Sequence, residues 1–225
     1  MSISILIADD HKMVREGFLA LISQNPAFEV VAEAADGREA FELATKYRPD
    51  IILMDIGMPG LNGIDACRKI LKVASGIKII GVSMYSSNPA VIEMLRAGAA
   101  GYIEKLTGFE EVFVAIETVL GGNQYISPSI ARVVVNEAIN KDEDASPNVF
   151  NTLSMREREV FQLFAEGKTS KEIAYLLEIS GRTVDAHRKN VMQKLGLNTL
   201  ADLARCAFAQ KIFSPLELKD RVSEC

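Results

Sequence analysis

The sequence predicts two domains: a doubly wound, five-stranded parallel α/β sheet, followed by a small all-α domain of four helices. Three observations support this fold class. Short apolar runs alternate five times with amphipathic helical segments in the first half of the chain. The pattern becomes purely helical from residue 153 onward. Finally, several predicted strands end abruptly in a polar residue, which is typical of parallel sheets that carry functional groups at the carboxyl ends of their strands.

The strands of the sheet are predicted from apolar runs bounded by turn residues. These runs are Ile3–Ala8, Phe28–Ala32, Ile51–Met54, Ile77–Val82 and Gly101–Ile103. Between and after them, apolar residues recur at helical spacing. Because strands and helices alternate, the sheet is expected to be parallel and covered by helices on both faces. The Gly121-Gly122-Asn123 sequence ends the last of these helices.

The second domain is marked by helix-capping signals. The predicted capping residues are Ser154, Thr169, Ser180 and Thr199. A tight turn joins the second and third of these helices, which suggests a helix-turn-helix; the alternative is a generic four-helix bundle with short loops. The predicted boundaries are residues 1–123 for the first domain, 124–152 for a partly helical linker, 153–212 for the second domain and 213–225 for a C-terminal tail.

Composition excludes several classes of protein. The net charge of −5 comes from residues 1–130, whereas residues 131–225 carry equal numbers of acidic and basic side chains. The three cysteines are widely separated, which argues against a disulfide framework or a zinc cluster and suits a reducing cytosol. No apolar stretch reaches membrane-spanning length, and no basic region followed by an apolar one begins the chain. We therefore expect a cytoplasmic protein without a membrane partner.

Asp55 directly follows the apolar run Ile51–Met54, and turn residues follow it at once. At the rim of a parallel sheet an aspartate can be a nucleophile, a metal ligand or a helix cap. The Asp9-Asp10 doublet closes the first strand in the same way. Three carboxylates at one edge would repel each other unless a hard cation lay among them. Mg²⁺ suits this role because it takes one or two carboxylates and leaves room for a phosphate oxygen.

Two more strand ends carry polar groups, since Ser83 ends the fourth strand and Lys105 follows the fifth. A hydroxyl can donate a hydrogen bond to a phosphoryl oxygen, and an ammonium group offers it a compact positive charge. Each residue alone has an ordinary explanation, such as helix capping or a solvated surface position. Their occurrence at successive strand ends favours phosphoryl transfer onto Asp55.

Residues 1–123 resemble the receiver domain of two-component response regulators. The resemblance rests on Asp9-Asp10, Asp55 with Met58-Pro59-Gly60, Ser83, Tyr102 and Lys105. It implies a flavodoxin-like fold, phosphorylation of Asp55 by a histidine kinase, and Mg²⁺ as the cofactor. The implied metal ligands are Asp10, Asp55 and the Gly57 carbonyl, with Asp9 acting partly through water. Ser83 and Tyr102 would form a switch pair that turns inward when phosphate arrives.

Two residues depart from the receiver pattern. Leu106 follows Lys105 where many receivers have a proline, so the cis bond that is usual there is not expected in this chain. Met84 follows the switch hydroxyl, at a position where many receivers have Ala or Gly. We expect the bulkier side chain to slow access to the aspartyl phosphate.

The third helix of the second domain has two distinct faces. At about 100° per residue, Val184, His187, Val191 and Leu195 fall on one side and would face the core. The opposite side is short, mainly polar and cationic apart from one acid, as expected of a helix that enters a DNA major groove. Its residues are Arg182, Asp185, Ala186, Lys189 and Gln193, flanked by Arg188 and Asn190. The alternative is a solvated surface helix.

Residues 153–208 resemble the LuxR-type helix-turn-helix DNA-binding domain. The matching segments are Leu153–Val160, Gly167–Ala174, Ile179-Ser180, Thr183-Val184, His187 and Lys194-Leu195-Gly196. The resemblance implies a recognition helix at about residues 181–195. It places Asp185, Ala186 and Lys189 at base-reading positions, and Arg182, Thr183 and Arg188 at or near phosphates. It also implies dimers that pair through Leu200, Leu203, Ala204 and Ala207, although these residues suit burial in the domain's own core equally well.

Together the two resemblances identify the chain as a LuxR/NarL-type response regulator: a transcription factor, not an enzyme, switched by phosphorylation of Asp55. The implied partners are a histidine kinase, double-stranded DNA and, when phosphorylated, a second copy of the chain. One alternative is a signalling protein whose second domain binds protein. Another is a hydrolase with a catalytic Asp55, but haloacid-dehalogenase-type enzymes carry a second aspartate where this chain has Gly57.

Overall fold

The structure is a computed structural model that describes residues 2–84, 88–105, 110–139 and 152–209. The chain divides into two compact units, Met1–Asn140 and Lys141–Cys225. The polar part of the predicted linker, residues 140–151, and the predicted tail lie outside the described residues. Among the helices that are described, none is both long enough and apolar enough to cross a membrane.

The first unit is built on a parallel sheet. Its strands are β1 (Ile3–Ala8), β2 (Phe28–Ala34), β3 (Ile51–Asp55), β4 (Lys78–Ser83), β5 (Gly101–Glu104) and β6 (Tyr125–Ile126). They lie in the order β2-β1-β3-β4-β5-β6, and every neighbouring pair is parallel. The predicted doubly wound α/β fold is confirmed, and all five predicted strands are present. The short β6 is an addition to the predicted sheet.

Helices cover both faces of this sheet. They are α1 (Lys12–Ile22), α2 (Gly37–Tyr47), α3 (Gly63–Val73), α4 (Asn88–Arg96), α5 (Glu110–Leu120) and α6 (Pro128–Ile139). Within β1, Ile5 and Ile7 belong to one buried cluster, together with Phe18 of α1. Leu6 belongs to a second cluster, together with Ala40 of α2. Successive strand residues therefore point into opposite cores, which explains the unbroken apolar runs.

The strand order shows at which edge of the sheet a ligand is expected to bind. The chain runs from β1 outward to β2 and then crosses to β3 on the other side of β1, so the order reverses between β1 and β3. Ligands of open α/β sheets bind at such a switch point, outside the carboxyl ends of the strands. Because Ala8 of β1 pairs with Met54 of β3, the residues that follow them emerge side by side at this edge.

Part of the segment that we assigned to the linker packs on the sheet. Tyr125 and Ile126 pair with Gly101 and Tyr102 of β5, and the compact unit extends to residue 140. In α6, the side chain of Ile130 is fully buried in the same cluster as Tyr102. The predicted boundary at residue 123 stays a prediction, but residues 124–139 share the core of the first unit.

The second unit is helical throughout its described part. Its helices are α7 (Met155–Ala165), α8 (Ser170–Leu176), α9 (Gly181–Leu195) and α10 (Leu200–Ala209). Each predicted capping residue precedes its helix. Ser154 and Thr169 form complete capping boxes with Glu157 and Glu172, and the Thr199 hydroxyl accepts a hydrogen bond from the backbone N–H of Asp202. These caps satisfy backbone groups that a helix leaves unpaired at its start.

Two small cores hold these helices together. One is centred on Phe161 of α7 and Val191 of α9, and the other on Ile173 of α8 and Val184 of α9. An ion pair adds to this packing, since Nζ of Lys194 lies 2.7 Å from Oε2 of the buried Glu157. Thus α9 is fixed along one face, and its other face remains exposed.

Candidate functional site

Three aspartates meet at the switch point of the sheet. Asp9 and Asp10 follow β1, and Asp55 is the last residue of β3. Asp9 and Asp55 are almost completely buried, with 1% and 5% of their surface exposed. One potential ligand atom from each aspartate, together with one from His11, fits within 4.8 Å. Such closely spaced carboxylates need a compensating positive charge.

Lys105 supplies that charge. Its Nζ lies 2.6 Å from Oδ2 of Asp9 and 2.9 Å from Oδ2 of Asp55, and only 5% of its side chain is exposed. The backbone N–H of Lys105 also donates a hydrogen bond to the carbonyl oxygen of Ser83 at 2.8 Å. The lysine is therefore anchored to the end of β4 while its ammonium group bridges the ends of β1 and β3.

Burial and charge together set the protonation of this cluster. Burial raises the pKa of Asp55 to about 6, against the opposing effect of Lys105, and the nearby Asp9 adds to the rise. Burial alone would lower the pKa of Lys105, but the carboxylates of Asp55 and Asp9 outweigh it and raise that pKa. At neutral pH the cluster thus contains an ionised Asp55 beside a protonated lysine, which suits a carboxylate nucleophile.

The two residues of the predicted switch pair are in contact. Ser83 ends β4 with 7% of its surface exposed, and Tyr102 is fully buried in β5. Their side chains share a hydrogen bond, and burial raises the pKa of Tyr102 above its ordinary range. The tyrosine is therefore a neutral hydroxyl held inward, next to the hydroxyl that was predicted to meet a phosphoryl oxygen.

Sequence reasoning missed the part played by His11. Its Nδ1 lies 2.7 Å from Oδ1 of Asp10, and its backbone N–H donates to Oδ1 of Asp9 at 2.9 Å. The histidine thereby orients both members of the acidic doublet. Its position directly after the doublet was the available signal, but proximity in sequence does not reveal which way an imidazole turns.

Two glycines whose role was not predicted from the sequence allow the N-termini of α2 and α3 to approach the site. A Cβ at Gly63 would lie 1.9 Å from the carbonyl oxygen of Asp55, and a Cβ at Gly37 would lie 2.1 Å from that of Leu61. No other residue permits such an approach without moving the backbone. Gly57, in the intervening loop, donates its backbone N–H to Oδ1 of Asp55 at 3.4 Å. The loop that carries the predicted Gly57 ligand is thus held from both sides.

All six predicted DNA-contacting residues lie on α9. Arg182, Asp185, Ala186 and Lys189 are exposed, whereas Thr183 and Arg188 are half-buried. The inward residues Val184 and Val191 are buried, as the helical wheel predicted. The guanidinium carbon of Arg188 lies 5.7 Å from the ring centroid of Phe164 in α7, so this arginine makes a cation–π contact with that helix. The helix therefore presents one exposed, mainly polar face.

Comparison with known proteins identifies both units. The family model of the response regulator receiver domain matches residues 5–117, and that of the luxR family of bacterial regulatory proteins matches residues 151–207. The oxygen regulatory protein NreC of Staphylococcus carnosus is 39% identical over 212 residues, covering 92% of this chain and 98% of the relative. The chain belongs to the LuxR family of response regulators. It is a two-component transcription regulator with a receiver domain and a LuxR-type DNA-binding domain.

Solved structures agree with this assignment. A LuxR-family response regulator from Aurantimonas sp. SI85-9A1 is 37% identical with a TM-score of 0.59, covering 62% of this chain and all of that one. The response regulator RcsB in complex with DNA is 25% identical with a TM-score of 0.58, covering 91% of this chain and 97% of that one. Another structure contains two RcsB dimers bound to two parallel DNAs.

Two of the four predicted dimer residues of this LuxR-family chain are buried within their own domain, and the dimer surface itself stays a prediction. Leu203 is 1% exposed and Ala207 is fully buried, and both belong to the core centred on Phe161 and Val191. Their burial corresponds to the alternative in which α10 packs on its own domain, because a buried side chain offers no surface to a partner. Nothing is described for the side chains of Leu200 and Ala204.

Proposed function

We propose that this response regulator accepts a phosphoryl group on Asp55 from a histidine kinase in a Mg²⁺-dependent reaction, and that the modification controls sequence-specific DNA binding through α9. The observation that carries the proposal is the bridge from Lys105 to Asp9 and Asp55 at the switch point of the sheet. The same chain contains a LuxR-type DNA-binding domain, so phosphorylation of Asp55 can control DNA binding.

In the transfer step, a carboxylate oxygen of Asp55 attacks the phosphorus of a phosphohistidine. A P–O bond forms, the P–N bond breaks, and the released imidazole takes up a proton. Lys105 then pairs its ammonium group with a phosphoryl oxygen, and the Ser83 hydroxyl donates to another. Both groups already stand at the edge that receives the phosphoryl group, so little rearrangement is needed.

The acidic cluster fits a magnesium ion. Carboxylate and carbonyl oxygens are the ligands that Mg²⁺ prefers, and the aspartates gathered within 4.8 Å provide them. We assign Asp10, Asp55 and the Gly57 carbonyl as ligands, with Asp9 acting partly through water. The bound ion supplies positive charge that offsets the carboxylates and the incoming phosphoryl group. His11 holds the Asp10 carboxylate in place.

The output of the switch is DNA binding by a homodimer in the cytoplasm. The exposed face of α9 has the size and polarity of a helix that enters a major groove. Arg182, Thr183 and Arg188 would contact phosphates, while Asp185, Ala186 and Lys189 would meet base edges. Support comes from RcsB, whose structures contain DNA and dimers on DNA. Phosphorylation would shift the population toward the dimerising, DNA-binding form.

The proposal is tested by treating the full-length protein with acetyl phosphate, with and without Mg²⁺. Mass spectrometry should find one added phosphoryl group on wild type only when Mg²⁺ is present, and none on Asp55→Asn. The matched control is Glu42→Gln, which changes an exposed acid on α2 and should be phosphorylated like wild type. Phosphorylation of Asp55→Asn to the wild-type extent would refute the assignment.

DNA binding is tested on the same samples by selecting sites from random duplex DNA. Phosphorylated wild type should enrich a defined sequence, and its affinity should fall steeply as salt rises, because phosphate contacts release counterions. A protein-binding second domain would show neither result. The coupling fails if phosphodonor-treated wild type and Asp55→Ala bind the selected DNA equally well.

A further inference from the structure

The one acidic residue on the exposed face of α9 is held by two neighbours. Oγ of Ser170, the first residue of α8, donates a hydrogen bond to Oδ1 of Asp185 at 3.1 Å. Nη2 of Arg188 lies 3.5 Å from the same oxygen, and 53% of the Asp185 side chain is exposed. Within the described part of the chain, Oδ2 of Asp185 accepts no hydrogen bond. Oδ1 is therefore held by two neighbours, on a side chain of which about half is exposed.

An exposed carboxylate is unusual for a surface that must approach DNA. A carboxylate accepts hydrogen bonds only, and it is repelled by backbone phosphates. It is tolerated in the major groove where it meets a donor, and the donors there are the exocyclic amino groups of cytosine and adenine. Asp185 is the fifth residue of α9, within the N-terminal part of the helix that meets base edges in helix-turn-helix proteins.

We infer that Asp185 determines specificity for cytosine at one position of each half-site, and that Ser170 is its positioning residue. The inference rests on the proposed function, since it assumes that α9 enters the major groove. Cytosine fits better than adenine, because adenine places its N7 acceptor beside the amino donor and would repel the second carboxylate oxygen. Guanine presents two acceptors and thymine one, so neither offers Asp185 a hydrogen bond.

The role of Ser170 follows from its place in α8. The cap of that helix is made by Thr169, whose hydroxyl accepts from the N–H of Glu172. The Ser170 hydroxyl is thus not needed to start the helix and is directed to Asp185. By fixing Oδ1 it reduces the rotamer freedom that the aspartate would lose on meeting a base. Removing the hydroxyl should weaken selectivity without unfolding α8.

The test compares sites selected by phosphorylated full-length wild type and Asp185→Asn. Wild type should require cytosine at one position, with about tenfold weaker binding when that base is changed. Asp185→Asn should lose the preference at that position alone. Ratios of affinities are the proper readout, because removing a negative charge strengthens binding to all DNA. Arg182→Ala is the control and should weaken binding to all sequences alike.

Ser170→Ala should reduce the cytosine preference several-fold, and Ser170→Thr, which keeps the hydroxyl, should restore it. The inference is overturned if Asp185→Asn keeps the wild-type profile. It is also overturned if wild type selects adenine, guanine or thymine at the position that the substitution alters. Loss of selectivity in Asp185→Asn with no effect of Ser170→Ala would overturn the positioning role. If phosphorylated wild type selects no sequence at all, the proposed DNA-binding function fails as well, which is a distinguishable result.

Discussion

Nζ of Lys105 lies 2.9 Å from Oδ2 of Asp55, and neither side chain has more than 7% of its surface exposed. The lysine therefore already lies at the edge of the sheet where we propose that the phosphoryl group is accepted. An ammonium group buried between carboxylates is both a structural partner and a preplaced anion ligand.

Lys105→Ala should destabilise the receiver, because it leaves the buried charges of Asp9 and Asp55 unpaired. Breaking a buried ion pair from one side typically costs about 3–5 kcal/mol. Urea unfolding in EDTA should reveal this loss, and added Mg²⁺ should restore more stability to the variant than to wild type. Lys12→Ala, which removes an exposed lysine of α1, is the control and should behave like wild type. Equal effects of Mg²⁺ on all three proteins would contradict the expectation.

Asp55 should titrate visibly in metal-free protein. Burial holds the folded-state pKa of Asp55 at about 6, above its ordinary value of 3.8, so its contribution to stability is present at low pH and lost as pH rises through 6. The difference in stability between Asp55→Asn and wild type should therefore shift in favour of the variant by about 2–3 kcal/mol between pH 4 and pH 8. Thermal unfolding in EDTA at both values measures the difference. A stabilisation that does not change between pH 4 and pH 8 would show that the carboxyl group does not titrate in this range.

Tyr102→Phe should separate phosphorylation from its output. The substitution keeps the buried ring but removes the hydroxyl that is hydrogen-bonded to Ser83. Loss of one such bond lowers stability by about 1 kcal/mol, and phosphoryl uptake should remain near the wild-type rate. The gain in DNA affinity on phosphorylation should shrink, as measured by titration with and without acetyl phosphate. An unchanged gain would remove Tyr102 from the switch.

Met84→Ala should shorten the lifetime of the aspartyl phosphate. Met84 directly follows Ser83 and is 48% exposed, a position from which its side chain can shield the edge of the site from water. We expect hydrolysis to accelerate several-fold. The rate is measured as the release of inorganic phosphate after the phosphodonor is removed. Met13→Ala, which truncates an 84% exposed methionine on α1, serves as the control. Identical lifetimes in wild type and Met84→Ala would exclude the shielding role.

Glu157 should make the DNA-binding domain sensitive to acid. Burial alone would raise the pKa of this carboxyl group, but hydrogen bonds from Lys194 and Ser154 outweigh it and lower the pKa. The resulting stability is present above the unfolded-state pKa of about 4 and is lost as pH falls through the folded-state value. The protection of the α7 backbone amides against hydrogen exchange, relative to an unfolded chain at the same pH, should fall below pH 4 in the full-length protein. In Glu157→Gln, the protection of these amides should be lower than in wild type at pH 7, and it should depend less on pH.

Much of the receiver could be predicted from the sequence because its determinants are local. Each strand buried on both faces is an unbroken apolar run, and the polar residue that ends it marks the edge of the sheet. The caps of the second domain are equally local, since Ser154 and Glu157 are only three residues apart. Asp9, Asp55 and Lys105 could be expected at one edge because parallel strands end together.

Other features depend on contacts between distant residues and left no local pattern. The two-residue β6 is too short to show a period and is defined by its pairing with β5. The glycines that approach Asp55 and Leu61 are recognisable only once the helices are placed. The burial of Leu203 and Ala207 was also ambiguous, because small apolar residues suit a helix that packs inward or against a partner.

The packing of α6 bears on how this protein can be dissected and recombined. Ile130 and Tyr102 share one core, and Ser127 donates its backbone N–H to the carbonyl oxygen of Tyr102. A receiver cut after residue 123 would therefore lose the buried side chain of Ile130 from the cluster that contains Tyr102. Chimeras that exchange receivers between relatives should place the junction after residue 139, so that each receiver keeps its own sixth strand and helix.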